Sequence, residues 1–117
     1  MPLRQRVLED AAELLGVLGH PNRLRILALL HDGERDVTDL KTQLEVPAAN
    51  VSQHLGVLRS HHLVTVRRAG TRMVYALRDP RVVDVINRTL DLLADDIAQA
   101  PQLRRAIERV RIPPTKP

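Results

Sequence analysis

Along the chain, apolar residues fall into runs whose spacing is helical except in one stretch. From residue 5 to 18, Val7, Leu8, Ala11, Ala12, Leu14, Leu15 and Leu18 recur three and four apart, which predicts an amphipathic helix stopped at Gly19. Pro21 suits a first helical turn, and Leu24, Ile26, Leu27, Leu29 and Leu30 predict a short, heavily buried helix ended by Asp32-Gly33. Asp36 or Thr38 can cap the next helix, which turns Val37, Leu40 and Leu44 inward before Val46-Pro47 breaks the pattern. A further helix starts near Pro47 and lines up Ala48, Val51, Leu55 and Leu58 as a core stripe.

After His61-His62 the spacing changes. Leu63 to Arg68 and Thr71 to Leu77 are rich in β-branched residues on either side of Ala69-Gly70, which predicts a β-hairpin. Asp79-Pro80 then opens a long helix with an apolar stripe of Val82, Val83, Ile86, Leu90, Leu93 and Ile97, ended or kinked by Pro101. Gln102 to Arg111 reads as one more short basic helix, and Ile112 to Pro117 as a proline-rich tail. The fold class is therefore mainly α with a β-hairpin, in the order α-α-α-α-β-β-α and a short extra C-terminal helix.

Composition refines this picture. A chain of 117 residues fits one principal domain, expected over residues 1–100, with residues 101–117 as the basic helix and tail. With no Phe, no Trp and a single Tyr, the core must be built from Leu, Val, Ile and Ala. A core this small gains from a second copy covering an apolar face. No cysteine is present, so disulfides, thiolate metal sites and cysteine redox sensing are excluded. Glu9, Asp10 and Glu13 interrupt the N-terminal apolar stretch, and no run resembles a secretory signal or membrane span, so the cytoplasm is the expected compartment.

The net charge of +4 is a weak pointer to a polyanion, but its distribution is a stronger one. Between Val46 and Arg78 there is no Asp or Glu, while Arg59, Arg67, Arg68, Arg72 and Arg78 all fall inside. A solvated positive patch would also give such a cluster; a phosphate-binding surface requires one. Two short helices joined by a tight break and followed by a hairpin form a winged helix-turn-helix if the first packs across the second. Ala49, Asn50, Gln53 and Gly56 then face outward, flanked by Ser52 and His54. Asn and Gln can bond adenine bidentately in the major groove, small residues let the helix approach, and Ser52 can reach a base edge or a phosphate. Asn50 or Gln53 alone would read as an ordinary solvated residue, and only the acid-free setting favours DNA. Arg67, Arg68 and Arg72 bracket the hairpin turn, within reach of a phosphate or a minor groove. Arg59 serves equally as a DNA contact or as a cation at a helix C-terminus.

Three stretches together carry a family likeness. Leu18 to Leu27 (LGHPNRLRIL), Val51 to Arg59 (VSQHLGVLR) and Gly70 to Leu77 (GTRMVYAL) resemble the ArsR/SmtB family of winged-helix repressors, over about residues 7–98. The resemblance implies a homodimer built from the first and last long helices, a recognition helix at residues 47–60, and a wing at residues 63–77. It also implies repression of an operator in double-stranded DNA, an inverted repeat by symmetry, relieved by an inducer. His54 lies in the matching recognition motif, either touching DNA or packing beneath it.

The family's inducer sites do not carry over. Where relatives place a Cys-x-Cys element, this chain has Asp36, Val37 and Thr38. Where others bind zinc, nickel or cobalt between the last helices, Asp79 matches but Arg81 replaces the histidine, and Leu92 and Asp95 replace the later pair. Asp91, Asp95 and Asp96 read as solvated rather than as oxygen ligands with Glu9, Asp10 or Glu13. No metal and no cofactor is expected. Nor is an enzyme, since the chain has no cysteine nucleophile and no glycine-rich phosphate loop. The competing reading is a winged-helix interaction or co-regulator module that needs a protein partner to sense its signal; in either reading a protein or a small molecule is the expected kind of effector.

Overall fold

The computed structural model of the protein describes residues 2–96 and 100–114. Within them run α1 (Leu3–Leu18), α2 (Pro21–Asp32), β1 (Arg35–Asp36), α3 (Val37–Leu44), α4 (Ala48–Ser60), β2 (Val64–Ala69), β3 (Arg72–Leu77), α5 (Arg81–Asp96) and α6 (Pro101–Val110). Ile97, expected in the stripe of the last long helix, and tail residues 115–117 lie outside the described residues. The contacts divide the chain into two compact units, one through Asp79 and one from Pro80.

In the first unit, local signals set each helix boundary. His20 caps α2, its Nδ1 accepting the Asn22 N–H at 3.1 Å, with Pro21 in the first turn. Of the two possible caps for α3 the structure uses Asp36, whose Oδ1 accepts the Asp39 N–H at 2.8 Å. The turn into α4 comes one residue before the expected break, at Glu45, which adopts a left-handed conformation with φ 56°. Arg25 of α2 donates to the carbonyls of Gln43 and Leu44, which end α3 without partners in their own helix.

These contacts frame a core of Ile26 and Leu27 from α2, Leu40 and Leu44 from α3, and Val51, Leu55 and Leu58 from α4, none more than 2% exposed. The three- and four-residue spacings bring one face of each helix inward, so α3 packs across α4 as a helix-turn-helix.

The hairpin forms as expected, and the structure adds a strand to it. The antiparallel sheet has the order β1-β3-β2, with Asp36 opposite Val74, Arg67 opposite Val74 on the other side, and Ala69 opposite Arg72. The loop is Gly70-Thr71 rather than Ala69-Gly70; Gly70 has φ 65° and Ala69 still pairs in the ladder. β1 is two residues long, too short for any alternation to betray it.

In the second unit, α6 returns along α5. The Asn87 side chain donates to the Ile112 carbonyl at 2.9 Å and accepts the Ile112 N–H at 3.0 Å, while Arg111 pairs with Asp91 at 2.6 Å. Ile107 and Ile112 are buried. An open cavity of about 450 Å³ lies beside this clamp, lined by Asp84, Asn87, Arg88, Asp91 and Arg111.

Candidate nucleic-acid interface

On α4 the helical period separates two faces. Val51, Leu55 and Leu58 are fully buried, whereas Ala49, Asn50, Ser52, Gln53, Gly56 and Arg59 are exposed. The amides of Asn50 and Gln53 are thus presented to solvent by a helix whose other side is fixed in the core, the arrangement that base reading needs. Ser60, at the last position of α4, spends its hydroxyl on the Val57 carbonyl at 2.8 Å.

His54 sits between these faces. It is half-buried, its Nδ1 accepts from the Arg23 Nε at 3.3 Å, and its ring centroid lies 4.4 Å from that of His20. Arg23 also donates to the Val17 carbonyl at 3.1 Å, so one guanidinium joins the end of α1 to α4. Burial first, then the charges of His20 and Arg23, holds the His54 imidazole below its ordinary pKa of 6.5. An unfolded chain therefore takes up a proton that the folded one refuses. Stability from neutral His54 is complete above that value and is lost as pH falls beneath it. We expect the melting temperature to drop between about pH 7 and pH 5, and His54→Gln to flatten that drop. Parallel pH profiles for the two proteins would remove His54 as its source.

The wing divides its arginines by strand parity. Arg67 and Arg72 share the face that carries Val74, and each crosses to a carboxylate from the segment after α2. Arg67 grips Glu34 with both Nε and Nη2, at 2.9 and 3.0 Å, and Arg72 donates to the Asp36 Oδ2 at 2.7 Å. These pairs hold the Glu34 carboxyl below the usual carboxylate range, through Arg67. They do the same for Asp36, where the Asp39 backbone N–H contributes more than Arg72 does. Arg68 points from the opposite face beside Met73, exposed and with no hydrogen bond or ion pair among the described residues. A stretch free of acids in sequence is therefore not free of them in space. The pairs span 33 and 36 positions, beyond the reach of any local signal.

Among the described residues no three His, Asp or Glu side chains gather as a metal site. Asp91, weighed above as an oxygen ligand, is engaged by Arg111 and Arg88.

A family profile described as a helix-turn-helix domain matches residues 18–67. An uncharacterised HTH-type transcriptional regulator of Mycobacterium tuberculosis is 37% identical over 84 residues, covering 71% of this chain and 74% of that protein. The HTH-type transcriptional repressor SmtB of the same organism is 35% identical over 85 residues, 73% of this chain and 63% of its own. The chain belongs to the ArsR/SmtB family. As an ArsR/SmtB member it has the winged helix-turn-helix, in which α3 and α4 are the two helices and β2 and β3 the wing. Among solved structures, a homodimeric winged helix-turn-helix DNA-binding domain from Mycobacterium bovis, described as a possible ArsR-family regulator, superposes with a TM-score of 0.67. It is 31% identical, over 80% of this chain and 85% of that one.

Proposed function

We propose that this ArsR/SmtB protein is a sequence-specific transcription repressor that binds double-stranded DNA as a homodimer and catalyses no reaction. The observation that carries this reading is the solvent-facing pair Asn50 and Gln53 on a helix whose opposite stripe is entirely buried. In this reading α4 lies in the major groove, with Ala49, Asn50, Ser52 and Gln53 toward base edges. Arg59, Arg67, Arg68 and Arg72 meet the backbone or an adjacent minor groove. His54 contributes by holding α4 against α2.

The homodimer uses α1 and α5. Leu8 and Leu15 on α1 and Leu92 on α5 are 61%, 59% and 70% exposed, apolar side chains that a partner protomer would cover. Two-fold symmetry then asks for an inverted-repeat operator with half-sites roughly 34–36 Å apart. The compartment is the cytoplasm, and no helix among the described residues is long and apolar enough to cross a membrane.

Selection on genomic fragments, followed by footprinting across a salt series, tests the proposal. A repressor protects a two-half-site element and loses affinity steeply with salt. The absence of any protected fragment together with a shallow salt response would assign the fold to a partner-dependent module instead. Arg68→Ala is expected to weaken binding to operator and random duplex alike, and to reduce the salt slope by about one per wing, about two for the dimer. An unchanged slope would take the wing's free arginine off the phosphate backbone.

A further inference from the structure

The carboxylate of Glu34 fills the guanidinium fork of Arg67, the arginine proposed above as a backbone contact. A guanidinium presents a planar fork that fits carboxylate and phosphate in the same bidentate way, and Arg67 already has both prongs on Glu34. Arg67 is raised in pKa by this partner, and the pair is exposed on both sides, 58% and 47%. It is thus open to exchange with a solvated anion. Asp36 engages Arg72 through a single Nε–Oδ2 contact, but it also caps α3, so its charge cannot be removed without disturbing that helix. Glu34 carries no such second duty, since its side chain makes no other hydrogen bond or ion pair among the described residues.

The geometry points to Glu34 as an internal competitor for DNA, a residue that sets the affinity of the wing by occupying the phosphate seat of Arg67 until a duplex displaces it. The inference rests on the reading of Arg67 as a backbone contact. It explains why the segment after α2 sets acids against two of the wing's three arginines while Arg68 has no partner among the described residues: that arginine can make first contact, and the paired ones add only what remains after their carboxylates are displaced. Binding of a phosphate to Arg67 is an exchange of one anion for another, and so contributes less affinity and less counterion release than a free arginine would.

The test uses the full chain and a labelled duplex of random sequence, measured by fluorescence anisotropy at several salt concentrations. Glu34→Gln is expected to tighten binding by about two- to fivefold per wing at low salt, the worth of an exposed ion pair expressed as an equilibrium ratio, and to steepen the salt slope by about one per wing. Glu108→Gln, which removes the same charge from an exposed position of α6, measures the effect of net charge alone, and Glu34→Gln must exceed it. Arg67→Ala is expected to cost more in the Glu34→Gln background than in the parent protein. If Glu34→Gln binds no tighter than Glu108→Gln while Arg67→Ala weakens binding in both backgrounds, Glu34 is no competitor although Arg67 remains a DNA contact. If Arg67→Ala changes nothing in either background, the placement of Arg67 on DNA falls, and the inference with it. Melting curves of all variants confirm that affinities are compared between folded proteins.

Discussion

Leu55→Ala is expected to lower folding stability by about 2–5 kcal/mol, the range for deleting a fully buried leucine side chain and leaving part of its volume empty. Leu55 is 0% exposed and stands between Val51 and Leu58 on the stripe of α4 that meets α2 and α3. No Phe or Trp is present to relax into the gap, and the surrounding side chains are Leu, Ile and Val with short reach. Since small domains are stable by only about 5–15 kcal/mol, the loss is a large share of the whole. Urea denaturation of both proteins at one protomer concentration measures it, because dimerisation links stability to concentration. A loss under about 1 kcal/mol would mean that α4 is not anchored through this side chain, and the presentation of its outer face would need another explanation.

Gln53→Ala is expected to weaken operator binding by about 1–3 kcal/mol while leaving binding to random duplex nearly unchanged. Gln53 is exposed and neutral, so its removal alters neither the core nor the charge that attracts the backbone. Asn50→Ala should behave alike. Competition titrations with the selected operator and with random duplex give the ratio directly. Equal losses on both would show that these amides lie along the backbone rather than on base edges, and would shift the burden of specificity to the shape of the DNA.

The helices were legible because each repeats an apolar stripe over two turns or more, which side-chain identity alone displays. Leu40, Leu44, Val51, Leu55 and Leu58 are buried where their spacing puts them. Three features were not legible, each for a physical reason. β1 is a two-residue pairing fixed by its neighbour β3, so no period exists to find. The left-handed turn at Glu45 uses a residue without turn chemistry, and tertiary packing of α3 on α4 overrides its preference. The partners of Arg67 and Arg72 lie far away in sequence. Arg67 and Arg68 are adjacent on a strand, so alternation alone sends them to opposite faces. Of the interface itself, the outward placement of Asn50 and Gln53 followed from the period, whereas the link from His54 to Arg23 required the fold.

The amide of Asn87 grips main-chain atoms of residue 112, not its side chain. Such a clamp is indifferent to most of what is written between Pro101 and Ile112 but measures how much chain is written there. Exchanges along the outer surface of α6 should pass almost unnoticed, while a single residue inserted or deleted after Val110 would bring the wrong peptide group to Asn87 and swing the side chain of Ile112 out of its burial. For this segment, outside Ile107, Arg111 and Ile112, length is held more tightly than spelling.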